Sequence, residues 1–183
     1  MDAKRGDIGS TMDAYAAAYL GEGAPLAGDA VTVSPYLGFG SLEPAVNLAG
    51  KTGRGVFVLA LTSNKEGATV QRAIDPDGRT VAQLIVDEAA ARNAGASPLG
   101  PVGLVIGATV GETGLDLSKL RGTILAPGFG AQGGTVADLR RVFPDTASPV
   151  LPASARDILR HGPDAGALRE AVRRVGSELA SLR

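Results

Sequence analysis

Five short runs of the chain are apolar at nearly every position: 29–34, 55–61, 102–106, 123–126 and 149–152. Unbroken apolar runs, rather than alternating ones, mark parallel strands that are covered on both faces. Between them the apolar period lengthens to that of a helix. Val81, Leu84, Ile85 and Ala89 fall on one helical face, and Ser10 or Thr11 is placed to cap a helix running to Leu20. Leu168, Val172, Val175, Leu179 and Leu182 form an i, i+4, i+7 stripe behind Pro163-Asp164, which predicts a final amphipathic helix. Strands alternating with helices predict a parallel sheet with right-handed crossovers.

The polar positions choose between an open sheet and a barrel. Asp2/Lys4, Ser34-Pro35, Thr62-Ser63-Asn64, Gly128–Gly134 and Ser154–Arg156 all follow the carboxyl end of a strand, counting residues 1–5 as one. A (β/α)₈ barrel gathers its site at that end. The count reaches about six βα units where a barrel needs about eight. The fold expectation is therefore an incomplete α/β TIM barrel holding strands three to eight. It forms a single partial domain over residues 1–183, with the first two units expected to be absent.

Composition narrows the chemistry. At 183 residues, 44% hydrophobic and net charge −1, the chain has material for one core and no pull toward nucleic acid or an anionic membrane. It has no cysteine and one histidine, His161, so thiolate sites and cysteine nucleophiles are excluded and a serine–histidine triad is poorly supported. No apolar run approaches the ~20 residues that span a bilayer. The polar opening is unlike a signal peptide, and a cytoplasmic location is expected.

Two motifs carry the chemical signal. Asp2-Ala3-Lys4-Arg5-Gly6-Asp7 puts Asp2 and Lys4 two apart, on one face of an extended segment, with Asp7 beyond on the loop into the next helix. Alone, such a pair is an ordinary ion pair at a strand end. Pro127-Gly128-Phe129-Gly130-Ala131-Gln132-Gly133-Gly134 is a glycine-rich turn ahead of a helix starting near Thr135, a setting in which backbone N–H groups can approach an anion. Arg156 follows one unit later, with a planar, permanently charged fork suited to phosphate. The loop Leu61–Ala68 adds the hydroxyls and amide of Thr62, Ser63 and Asn64.

Extended to Asp-Ala-Lys-Arg-Gly-Asp-Ile-Gly-Ser-Thr and taken with the glycine loop, the chain resembles the orotidine 5′-phosphate decarboxylases, in the form of their bacterial type 2 branch. The resemblance implies conversion of orotidine 5′-phosphate to UMP and CO₂ in pyrimidine synthesis, without cofactor or metal. It implies that Asp2 sits against the scissile carboxylate and that Lys4 protonates C6. Asp7, Ile8 and Thr11 would reach across a homodimer interface into the neighbouring site. Ser63 would contact the base, and Gln132 both phosphate and pyrimidine. Gly128, Gly130, Gly133, the Ala155 N–H and Arg156 would hold the phosphate.

The resemblance also implies a lysine after the second strand and an aspartate after the first, and this sequence contains neither segment. The chain alone is therefore expected to show little turnover, and a catalytically inactive fragment is the second reading. The rival chemistry is that of the magnesium-dependent sugar-phosphate decarboxylases and aldolases of the same superfamily, which the Thr62–Gly67 loop and Gln132 disfavour.

Overall fold

The structure, a computed structural model, describes residues 1–144 and 146–182. Five strands form one parallel sheet in chain order: β1 (Ala30–Val33), β2 (Gly55–Leu61), β3 (Val102–Ile106), β4 (Ile124–Pro127) and β5 (Val150–Ala153). Each matches an apolar run of the sequence to within one residue at either end. The helices are α1 (Gly9–Leu20), α2 (Glu43–Thr52), α3 (Ala68–Gln71), α4 (Val81–Arg92), α5 (Val136–Val142), α6 (Arg156–Leu159) and α7 (Ala165–Ala180). Sheet order equals chain order, and a helix separates successive strands except β3 and β4, which are joined by an irregular segment; this is barrel-like winding.

Residues 1–5 lie alongside β1 as an incomplete sixth position. Thr32 N–H donates to the Met1 carbonyl at 3.0 Å and Ser34 N–H to the Arg5 carbonyl at 2.8 Å, while Arg5 and Val33 form a parallel bridge. Gly6 continues the contact, because a Cβ there would stand 2.2 Å from the Ser34 carbonyl oxygen.

The core follows from the two-sided burial that the apolar runs imply. All five residues of β3 are buried, and Val56, Val58 and Ala60 of β2 meet them from the neighbouring strand. Ala82, Ile85, Val86 and Ala89 of α4 close over these strands. The Asn93 side chain ties the end of α4 to the sheet: it donates to the carbonyls of Val102 (2.7 Å) and Leu120 (2.8 Å) and accepts from Val102 N–H (3.1 Å).

Two helix expectations need correction. Neither Ser10 nor Thr11 caps α1; the cap position is Ile8, without a side-chain cap, and the helix begins one residue earlier at Gly9. The α7 stripe holds at Leu168, Val175, Leu179 and Leu182 but not at Val172, which is 52% exposed while Ala171 is buried. Positions 171 and 172 both neighbour 168 on a helix, and the smaller alanine takes the place facing inward. Asp164 caps α7 by accepting from Ala167 N–H at 2.6 Å.

Local caps and turns give the fold an acid-sensitive component. Asp138 (Thr135 hydroxyl), Asp116 (Ser118 side chain) and Asp75 (Arg79 backbone N–H) all have pKa values held below the ordinary 3.8 by these bonds. A depressed folded-state pKa adds stability above the unfolded value and loses it as pH falls through the folded one. Urea midpoints should therefore hold steady from pH 7 to about 5 and decline below about 4. A midpoint that rose on acidification would contradict these assignments.

Candidate active site

A cavity of about 920 Å³ opens at the carboxyl ends of the strands. Its first wall is the Asp2–Lys4 pair. Lys4 Nζ lies 2.6 Å from Asp2 Oδ1 and 2.5 Å from Oδ2, and both side chains remain more than half exposed. The Lys4 hydrogen bond, and more weakly one from Thr32, hold the Asp2 carboxyl below its usual range against a partial opposing effect of burial.

The pair meets as the two-residue spacing implies, but not on a regular strand. Lys4 has φ +51°, in the left-handed region that costs an L-residue roughly 1–2 kcal/mol. Ala3 packs against the core between the two charged residues.

The glycine loop after β4 behaves differently from an open anion cradle. Gly128, Gly130 and Gly133 have φ of +105°, +76° and +87°, so the turn itself requires glycine. Three of its N–H groups are spent within the loop: Gly130 donates to Gly134, Gly133 to Gly130 and Gly134 to Gly128, at 2.7–3.0 Å. The N-terminus of α5 is closed by a capping box. Thr135 Oγ1 accepts from Asp138 N–H, and the Asp138 carboxylate accepts from Thr135 N–H. The helix end expected to face an anion is thus filled by its own carboxylate.

The β2 loop is held by a side chain nine residues away. Thr62 N–H donates to Gln71 Oε1 at 2.9 Å, and Gln71 Nε2 donates back to Thr62 Oγ1 at 2.8 Å. This bracket leaves Ser63 exposed on the cavity wall. After β5 come Ser154, Ala155 and Arg156, the last being the first residue of α6. Ser154 Oγ is buried and has no hydrogen-bond partner among the described residues.

The structure therefore brings Asp2, Lys4, Ser63, Gly128, Gln132, Ala155 and Arg156 around one cavity. It does not bring Asp7, Ile8, Thr11, Gly130 or Gly133 to it. The Asp7 carboxylate accepts from Ile8 N–H at 2.8 Å, Ile8 is 63% exposed and Thr11 is exposed on α1. Gly130 and Gly133 line a separate hollow on the far side of the loop. There Gly130 abuts Asp157, a buried carboxylate paired with Arg160 (2.5 Å) and Arg174 (3.4 Å).

Sequence reasoning passed over Thr32, Gln71 and Asp157, and gave Ser154 a place at a strand end but no role. Thr32 carried a signal, as the hydroxyl inside the apolar run of β1. Gln71 carried none, because its partner is set by how the loop folds back.

A parallel α/β sheet wound in chain order, with a charged pair, a glycine turn and an arginine around one cavity at its carboxyl edge, defines a β/α-barrel protein built for a polar ligand. Residues 1–171 match the orotidine 5′-phosphate decarboxylase / HUMPS family, and the chain belongs to it. It is 61% identical to the orotidine 5′-phosphate decarboxylase of Salinispora arenicola over 96% of this chain and 63% of that protein. Against the Streptomyces coelicolor enzyme of the same name it is 57% identical over 98% of this chain and 64% of the relative. A Streptomyces avermitilis crystal structure assigned to that activity superposes on 100% of this chain and 64% of its own length, with TM-score 0.94 and 55% identity. The chain thus spans just under two thirds of these relatives.

Proposed function

We propose that this chain carries the decarboxylating half of an orotidine 5′-phosphate site. The observation that supports it most is an ammonium, Lys4, fixed on a carboxylate, Asp2, inside the cavity that also holds Ser63, Gln132 and Arg156. Asp2 faces the substrate carboxylate, where two like charges disfavour the bound acid more than the carbanion left behind. The C6–carboxylate bond breaks, CO₂ departs, and the electron pair at C6 takes a proton from the Lys4 ammonium. Lys4 then recovers a proton from solvent. Ser63 and Gln132 read the base, and Gly128, Gln132, the Ala155 N–H and Arg156 take the phosphate.

Asp7, Ile8 and Thr11 lie outside the cavity at the start of α1, and the same reading places them at a homodimer interface facing the partner's site. Among the described residues no helix is long and apolar enough to cross a membrane. The reading puts the protein in the cytoplasm with the rest of pyrimidine synthesis.

The deciding assay follows the absorbance of orotidine 5′-phosphate with the chain alone, and again with the segments of the Salinispora relative it does not span supplied in trans. Turnover in either preparation, insensitive to EDTA, supports the proposal. Turnover only with the added segments shows that this chain holds part of the machinery. No turnover in both sinks it, and loss on EDTA would favour the magnesium-dependent branch. Arg156→Ala should weaken binding of the nucleotide by about 10- to 100-fold, the span of one charge-assisted hydrogen bond. It should leave binding of the nucleoside orotidine unchanged. Equal losses for both ligands would take Arg156 off the phosphate.

A further inference from the structure

We infer that Thr32 is a positioning residue that locks the Asp2–Lys4 pair in its working geometry. The inference rests on the decarboxylase reading for its effect on rate, but on the structure for its contacts. Thr32 is 4% exposed, in the middle of β1. Its Oγ1 accepts from Lys4 N–H at 3.0 Å and donates to Asp2 Oδ1 at 2.9 Å. One hydroxyl thus holds the backbone of the ammonium residue and the carboxylate of its partner.

The reason it is needed lies in the backbone. Thr32 N–H bonds to Met1 and Ser34 N–H to Arg5, so the parallel register closes at both ends of the segment. Between these points Lys4 turns into the left-handed region, and its N–H bonds the Thr32 side chain instead of a main-chain carbonyl. Without that acceptor the Lys4 N–H loses its partner, and nothing in the ladder holds the residue at φ +51°. The same hydroxyl fixes one of the two Asp2 oxygens, leaving the Lys4 ammonium bridging both. Thr32 lines the cavity but reaches the ligand space through Asp2, which makes its role one of placement.

The test compares Thr32→Val, which keeps the shape and β preference while deleting the hydroxyl, with Thr32→Ser, which restores it, and with Thr32→Ala as a second deletion. The first readout is the Asp2 carboxyl titration by ¹³C NMR. The side-chain charge bearing on it is Lys4, and Arg156 lines the same cavity. In Thr32→Val and Thr32→Ala the Asp2 pKa should rise, and in Thr32→Ser it should return to the wild-type value. The second readout is turnover. Both deletions should lower kcat by about 10- to 100-fold, as for one hydrogen bond to a charged group, with KM changed less than threefold. Thr32→Ser should recover most of kcat.

Wild-type titration in Thr32→Val and Thr32→Ala would overturn the inference, as would a kcat unchanged by either. The titration needs no turnover. A wild-type protein without decarboxylase activity would therefore count against the proposed function, while the Asp2 titration still decides Thr32.

Discussion

Lys4→Ala is expected to lower kcat for orotidine 5′-phosphate decarboxylation by about 10²–10⁴-fold, the range typical of a positioned proton donor. The carbanion at C6 would lose its nearest acid, and water would have to enter a site arranged around a fixed ammonium. The same substitution removes the largest cause of the lowered Asp2 pKa, so Asp2 should titrate higher in the variant. Binding of the nucleotide should suffer much less than kcat, because the proposed function assigns phosphate and base to other residues of the cavity.

A control separates chemistry from folding. Lys4→Gly deletes the ammonium and also relieves the left-handed strain at φ +51°, a gain of roughly 1–2 kcal/mol. It should be as inactive as Lys4→Ala and at least as stable in urea. The preparation is whichever turns over in the absorbance assay. A Lys4→Ala protein within tenfold of wild type would remove Lys4 as the proton source.

The largest effect on stability is expected far from the cavity, at Asn93. This side chain is fully buried and makes three hydrogen bonds to the backbone of Val102 and Leu120. Asn93→Leu keeps the volume and deletes all three, leaving a buried N–H and two carbonyls to find other partners. At about 1–3 kcal/mol for each group left bare, part of it recovered by relaxation, the loss should be about 3–5 kcal/mol. That is a large share of the ~5–15 kcal/mol that holds a typical domain together.

The surroundings leave little room for that relaxation. A Cβ on Gly100 would stand 1.9 Å from Asn93 Oδ1, and one on Gly122 would stand 2.1 Å from the Val102 carbonyl oxygen. The two glycines and the asparagine are one packed unit where α4 meets β3. Gly122→Ala should therefore destabilise the protein as well, through the backbone clash. Urea denaturation of both variants measures the effect, and a loss below about 1 kcal/mol for Asn93→Leu would show that the network is dispensable.

The strands were legible because a parallel sheet covered on both faces leaves no polar alternation to confuse the pattern. β2 and β3 came out residue for residue, and the other three differed by one position at each end, where turns blur a boundary. The gathering of strand-end residues around one cavity was legible for the related reason that a barrel sends every such loop to one rim. Asp2, Lys4, Ser63, Gln132 and Arg156 lie up to 154 residues apart in sequence, and that topology alone brings them to one cavity.

One position of the inward face of α7 was not legible, because periodicity permits Ala171 or Val172 equally and only packing decides that the smaller side chain is buried. Nor was the fate of the glycine loop. Its composition supplies positive φ, but whether its N–H groups turn outward or back on the loop depends on the Thr135–Asp138 cap and on Asp157 beneath Gly130.

What the sequence determined by itself is the alternation of strands and helices and the chemical types gathered at the strand ends, because hydrophobic period and residue identity are local properties. What only the tertiary structure decided is which groups satisfy one another. Thr32 with Asp2 and Lys4, Gln71 with Thr62, and Asn93 with Val102 and Leu120 are such pairings. Hydrogen bonds are directional and short, so their partners are fixed by packing between distant segments rather than by any pattern along the chain.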